Sequence, residues 1–488
     1  ADPPPALAST PPPAPVGCTT NAACVAERGG KPAICRKDQA RCVALETEQC
    51  KVIADEADLT NDDTLWFGAM FPISDPTTAH GRESSRWITL ARRDFAGLTG
   101  GLPPTKPGGR PRPIGVVLCD DTRDHARSAA HLVDDVGVPA VLGFATSKEV
   151  LELANTHFVP KGVLALAANT ATMLSSIPHP PGEVRLIHRV TLSATMVAPF
   201  TVAFLREIVE RDLRRPRAAV GPDGLLRIAI LRSPNASGTS HTDAMFDALV
   251  AARPSADREV LRTFLVPDAT SDDPALFGPA AADVAAFAPH VVLDGGATTL
   301  ILPSIERAWT RGPRPRYVYG GVEPSILRGL AEADPGFTAR FFTISARDNP
   351  VFGKATAHYI AAFGPGDATS LSPTPYDAFY VLAYAAIALG DAPVTGRALA
   401  RAIRRLVPPG EPLAVGPANI YAALNVLSRG GDIDLRGTLT TLDFDPETGD
   451  PTAELAMFCL AKDGGRLVES DTRWDPVAAR LVGDDACR

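Results

Sequence analysis

Short apolar runs alternate with amphipathic stretches from Leu65 to Leu460, and this alternation restricts the fold more than any other feature. The runs, bounded by Gly, Pro, Ser or Asp, read as strands, and the longer stretches between them carry apolar residues at helical spacing. Strands are predicted at Leu65–Phe71, Ile114–Cys119, Ala140–Gly143, Val163–Ala168 and Leu186–Val190. Helices are predicted over Gly81–Phe95, Ala126–Val133 and Ser147–His157. The scheme then restarts. A helix over Val197–Glu210 precedes strands Leu226–Leu231, Val260–Val266, Val291–Asp294 and Tyr317–Tyr319, with helices Thr242–Ala251 and Thr299–Thr310 among them. A third portion holds strand Phe341–Ser345 and helices Thr356–Phe363, Tyr376–Leu389, Gly396–Leu406 and Ala418–Leu427. Leu439–Phe444 and Ala453–Leu460 read as a closing hairpin. One open sheet does not comfortably hold so many strands. Two parallel α/β sheets, hence two lobes, are expected.

The 488 residues are 45% hydrophobic and 21% charged, enough apolar material for large cores. A net charge of −8 argues against a nucleic-acid or anionic-membrane partner. Arginine-rich turns such as Arg211–Arg215 and Arg401–Arg405 fall at expected helix ends, where a solvated basic turn is ordinary. The longest apolar run, Phe379–Leu389, is too short to span a bilayer. Export is expected, to the periplasm or cell envelope, with the signal removed ahead of Ala1; a lipid anchor there is left open.

Five of the eight cysteines, Cys18, Cys24, Cys35, Cys42 and Cys50, crowd into one short stretch. Their spacing lacks the paired knuckles of a zinc site, so a disulfide-stapled module in an oxidising compartment is the reading, with no metal and no cofactor. Five is an odd number. One of them is expected to pair outside the module, with Cys119, Cys459 or Cys487 available. Residues 1–17, with two Pro-Pro-Pro runs, read as an extended tether.

Enzyme signatures are missing: no phosphate loop, no dinucleotide fingerprint, no nucleophile elbow and no HExxH helix occurs. The nine histidines lack metal-ligand spacing. Asp120 and Asp121 are adjacent on an extended chain, so their side chains point to opposite sides and make a poor acid–base dyad. What remains is a set of strand-to-helix turns rich in Ser, Thr and Gly, where helix N-termini present unpaired N–H groups to ligands. Gly143-Phe144-Ala145-Thr146-Ser147 and Ala167-Ala168-Asn169-Thr170-Ala171-Thr172 suit an anion. The first also contains a Thr146–Glu149 capping box, which stabilises a helix whether or not anything binds.

At these turns the order of motifs resembles the type I periplasmic solute-binding proteins, over residues 64 to 465. The matching pieces are Phe67–Ser74, Asp120-Asp121, Val138–Gly143, Gly162–Ala168, Gly295-Gly296-Ala297 and Tyr376-Asp377-Ala378. The resemblance implies two Rossmann-like lobes with parallel central sheets, joined by three hinge crossovers near 190, 322 and 453. It places residues 64–190 and 323–453 in the first lobe, and 191–322 and 454–488 in the second, behind the Cys-rich module and acidic link of 18–63. Ser147, Ala168 and Thr170 match positions that hold a ligand carboxylate, with Thr146 and Asn169 beside them. Ser74, His80 and Ser193 would line the cleft, and Ser237, Gly296, Ala297 and Thr298 would close over the ligand.

The departures concern the ligand ammonium. Family members that bind amino acids carry an aromatic near the position of Ser237 and an acid on the second-lobe loop; here Ser237 is small and Gly296-Ala297-Thr298-Thr299 has no acid. The resemblance implies non-enzymatic capture of a small polar molecule, an amino acid or other carboxylate, by a monomer that delivers it to the permease of an ABC-type importer, and the departures point to a carboxylate lacking the α-amine or to a larger polar solute. A sensory ligand-binding module and a hydrolytic or other enzyme on the same scaffold are the competing classes.

Overall fold

The computed structural model describes residues 17–75, 80–104, 108–214, 224–252, 259–267, 273–295, 301–321, 324–365, 372–475, 478–484 and 487. The chain begins with a small stapled unit. Thr20 caps the helix Asn21–Glu27, which packs on a hairpin of β1 (Ala33–Arg36) and β2 (Arg41–Ala44). Cys18–Cys35 and Cys24–Cys42 bind helix to hairpin, and the Asn21 side chain accepts from Cys35 N–H and donates to the Asn61 carbonyl. With so few apolar residues available, these covalent links replace a core.

The first large sheet comprises β3 (Cys50–Ile53), β4 (Leu65–Phe71), β5 (Ile114–Asp120), β6 (Ala140–Gly143), β7 (Leu164–Ala167) and β8 (Ile187–Arg189), in the order β3-β5-β4-β6-β7-β8. Every pairing is parallel except β3 with β5. Parallel strands covered on both faces read as continuous apolar runs, and β6 and β7 are buried at every position. The odd cysteine finds its outside partner here: Cys50 stands directly opposite Cys119 in the register, and the two form a disulfide. Cys459–Cys487 is the fourth bridge, so all eight cysteines are paired.

The helix Thr374–Ala388 is buried from end to end against this sheet. Asp94 is tolerated in that core because Tyr376 and Tyr380 donate to its Oδ2 at 2.6 and 2.8 Å, while His358 Nε2 lies 2.8 Å from its Oδ1. The acidic link is similarly engaged: Arg92, buried beneath it, pairs with Asp55 and Asp58.

The second sheet opens with β9 (Leu226–Arg232), β10 (Glu259–Leu265), β11 (Val291–Asp294), β12 (Tyr317–Tyr319) and β13 (Phe341–Ala346). The chain then returns to the first half, where β14 (Glu411–Ala414) and β15 (Ile433–Arg436) form a parallel pair packed into the first core. It passes back to finish the second sheet with β16 (Leu455–Leu460), β17 (Leu467–Asp475) and β18 (Arg480–Val482), giving the order β10-β9-β11-β12-β13-β16-β17-β18. The chain thus crosses between the halves three times.

Two sequence expectations are corrected. The middle crossover expected near 322 comes later, because β13 pairs with β12 and stays in the second sheet. Leu439–Phe444 is not a strand; β16 pairs instead with β13 and with β17, both antiparallel. The apolar residues of 439–444 mark burial without strand pairing: Leu442 takes a left-handed conformation that no strand continues. No helix among the described residues is long and apolar enough to cross a membrane.

Candidate functional site

The site grows from the carboxyl ends of β6 and β7. After β6 the chain turns sharply: Gly143 has φ of +120° and Phe144 +82°, and Phe144 N–H donates to the Met70 carbonyl of β4 at 2.7 Å. A Cβ at Gly143 would lie 2.3 Å from that same carbonyl oxygen, so only glycine fits. The bulky Phe144 holds its unfavourable backbone because its ring is buried against Phe158.

This turn delivers Thr146 to the start of the helix Ser147–Leu153. The capping box forms: Thr146 Oγ1 accepts from Glu149 N–H at 3.2 Å, and Glu149 Oε2 accepts the N–H groups of Ala145 and Thr146 at 2.9 and 3.4 Å. The local capping reading therefore holds for those two N–H groups. Ser147, 4% exposed, remains: nothing among the described residues pairs with its hydroxyl.

The turn after β7 is held from behind by Arg189, at the end of β8. Its guanidinium donates to the carbonyls of Asn169 (2.8 Å) and Ala171 (3.0 Å), to Ser175 Oγ (2.7 Å) and to Asp450 Oδ1 (2.5 Å). Buried arginine with a full set of acceptors is a rigid brace. Asn169 Nδ2 is buried without a partner.

From the second half, the helix Ala236–Ala251 starts at the same place, capped by Asn235, whose Oδ1 accepts from Gly238 N–H at 2.9 Å. Ser237 in its first turn lies 2.9 Å from Thr170 Oγ1, so the halves are joined by a direct hydroxyl–hydroxyl bond. Beside that bond is a cavity of about 380 Å³, walled by Ala145–Lys148, Ala168–Thr170 and Asn235–Ser237. Its described lining contains hydroxyls, amides and one cation, Lys148, and neither an acid nor an aromatic ring. A larger depression of about 480 Å³ lies elsewhere, but Arg314 and Arg340 in it are already paired with Glu306, and Arg340 also with Asp334.

Comparison with known proteins agrees with this architecture. No family model and no curated protein matches the sequence. Solved structures do match in shape. A leucine binding protein from Thermotoga maritima superimposes with a TM-score of 0.58 at 16% identity, covering 85% of this chain and 99% of its own. A putative branched-chain amino acid ABC transporter protein from Silicibacter pomeroyi gives 0.58 at 18%, covering 86% and 98%. A solute binding protein of an ABC transporter from R. palustris, in complex with 4-hydroxybenzoate, gives 0.56 at 14%, covering 83% and 95%. The chain has the type I periplasmic binding protein fold. At such identities the likeness is one of fold, and function must be argued from the site.

Within that binding-protein fold, Thr146, Ser147, Ala168, Asn169, Thr170 and Ser237 come together around one cavity. Three other expected residues do not join its described lining. Ser74 is exposed and bonded to the Asp120 carboxylate. His80 begins the helix His80–Thr99 edge-on to Phe71, and burial lowers its pKa. Ser193 is fully buried, 2.8 Å from Thr195 Oγ1, in the crossover after β8. All three hydroxyl or ring groups are engaged by near neighbours, which sequence spacing does not reveal. Gly296, Ala297 and Thr298 lie outside the described residues.

Sequence reasoning missed Lys148 and Asn235 on the wall, and Arg189 behind it. Arg189 could have been suspected as a charge ending the strand Leu186–Val190. The only described trio placed to hold a metal, Cys18, Cys24 and Cys42, is committed to disulfides.

Proposed function

We propose that the chain is an extracytoplasmic solute-binding protein that captures a small carboxylate between its halves and delivers it to an ABC-type importer. One observation carries this: turns from both sheets wall a single cavity and present hydroxyls, amides and Lys148 to it. Helix starts and hydroxyls favour an anion, and charge-assisted bonds of this kind contribute about 1.5–3 kcal/mol each. An α-ammonium would find no acid in the described lining, and an unpaired buried ammonium is costly. The preferred solute is therefore a carboxylate without an α-amine. Two neighbours of this fold are a leucine binding protein and a solute binding protein in complex with 4-hydroxybenzoate, the latter a carboxylate without an α-amine.

Capture works by population shift, since a solute touching both halves favours the closed form by its differential affinity. Four disulfides support an oxidising compartment, hence the periplasm or cell envelope. Native mass spectrometry of the purified chain, followed by thermal shift with amino acids and organic acids, tests the reading. A retained or stabilising organic acid supports it. Strong stabilisation by leucine or valine, with none by any organic acid, overturns the amine-free assignment.

A further inference from the structure

Behind the cavity wall two acids meet with too few donors. Asp121 is 6% exposed and Glu149 5%. Glu149 Oε2 is taken up by the Ala145 and Thr146 N–H groups, whereas Glu149 Oε1 and both oxygens of Asp121 are buried without a well-formed hydrogen bond, the Ala145 and Asp121 N–H groups acting on Asp121 only weakly from nearby. The two carboxyl groups lie near enough for each to act electrostatically on the other. Two adjoining buried anions repel and are poorly solvated; one proton between them removes a charge and turns the contact into a hydrogen bond. Burial, and then the Asp121 charge on Glu149, pushes the pair up out of the usual carboxylate range. The pair titrates as one unit.

Among the described residues no cation is paired with it. Asp120, next in the chain, is held ionised by Ser74 and Thr122. On the helix of Glu149, Lys148 is exposed, and Glu152 lies 3.3 Å from His125 of the preceding helix. Asp124 caps that preceding helix at Arg127 N–H, and His157 follows Glu149 two turns on. The packed turn Thr172–Leu174 has no charged residue, and the helix Ala236–Ala251 brings His241 and the Asp243–Arg232 pair.

We infer that the proton shared by Asp121 and Glu149 belongs to the anion-capture apparatus: bound, it leaves the helix start at Ser147 positive toward the cavity, and its loss to solvent places a second negative charge behind that wall and weakens anion binding. The inference rests on the anion reading proposed above. Glu149 acts here as a positioning residue, through the Ala145–Thr146 loop that it holds, and does not itself touch the solute.

The test titrates the full chain calorimetrically with benzoate and with lactate, neither of which ionises further between about pH 6.5 and about pH 9.5. Glu149→Gln is compared, since its amide can accept from the loop and permanently supply the donor that Asp121 needs; Asp121→Asn serves if that variant does not fold. Wild-type affinity is expected to fall by up to about tenfold per pH unit above the pair's upper titration, while the variant stays flat. A flat wild type, or a variant with the wild-type slope, overturns the inference. Infrared spectra at neutral pH separate its failure from that of the anion reading. A protonated-carboxyl band present in wild type and lost in the variant supports the shared proton, and no such band overturns it. With the band present, failure of both anions to bind at the acid end of the range overturns the anion reading and the inference with it.

Discussion

Thr170 Oγ1 and Ser237 Oγ lie 2.9 Å apart and join turns that belong to different sheets. A neutral hydrogen bond contributes about 1 kcal/mol net, enough to alter the balance between open and closed forms several-fold. Thr170→Val is expected to raise the ligand-free radius of gyration measured by small-angle scattering. An unchanged radius would show that closure does not depend on this bond.

Ser147, a residue only 4% exposed, lies on the wall of the cavity and makes no side-chain hydrogen bond to a described residue. Ser147→Ala is expected to weaken capture of the solute found by native mass spectrometry by roughly 10- to 100-fold, the range of a charge-assisted bond. The ligand-free melting temperature should stay near wild type. Equal affinity for the two proteins would remove Ser147 from the site.

Arg189 and Asp450 form a buried ion pair that braces the Asn169–Ala171 turn. Arg189→Met leaves Asp450 with only the Ser175 hydroxyl and removes three further bonds, so a loss of about 3–5 kcal/mol in denaturant unfolding is expected. Adding Asp450→Asn should cost less than the sum of the single changes. Strict additivity would mean that the two side chains do not act together.

His188 is held neutral by burial, its pKa pushed down to about 4, with Nε2 3.1 Å from the Arg185 carbonyl. An unfolded histidine takes up its proton at about pH 6.5, so the unfolded chain binds more protons below that pH. The contribution of neutral His188 is present above about pH 6.5 and is lost as the pH falls toward the folded pKa. His188→Gln should reduce the stability lost between about pH 6.5 and about pH 5 by roughly 2 kcal/mol. Identical acid profiles would refute the assignment.

The Cys50–Cys119 bridge closes a loop of sequence separation 69. By loop-closure entropy its removal costs about 4 kcal/mol, more than either bridge inside the small N-terminal unit. Calorimetry of the Cys50→Ser, Cys119→Ser double variant should show a lowered melting temperature with solute capture retained. Loss of capture at full occupancy of the folded state would tie the N-terminal unit to the site.

Parallel strands such as β6 and β7 were legible because burial on both faces leaves an unbroken apolar run. β17 was not: its residues Leu467–Asp475 are mostly polar and partly exposed, and it is a strand only because β16 and β18 flank it. The destination of β13 was hidden for a related reason, since a strand pattern does not name its neighbour. In the site, the turns at Thr146–Ser147 and Ala168–Thr170 were readable because strand-to-helix junctions at the carboxyl ends of parallel strands lie side by side. Ser74 and Ser193 lie apart from the described lining, and sequence spacing could not show this because a hydroxyl serves a nearby carboxylate or helix start as readily as a ligand. The meeting of Asp121 with Glu149 required tertiary placement that no spacing in the sequence encodes.

The small strand β3 has a consequence for how the molecule avoids sticking to itself. Without it, β5 would offer a row of unsatisfied backbone groups to any passing chain; with it, that margin of the first sheet is occupied and covalently locked. Among the described residues no further strand pairs with β10 at the edge of the second sheet, and its final residue Leu265 is 69% exposed. Of the outer strands β3, β8, β10 and β18, β3 is the one tied covalently to its neighbour, so reduction of Cys50–Cys119 is expected to loosen that edge while leaving the other three as they were.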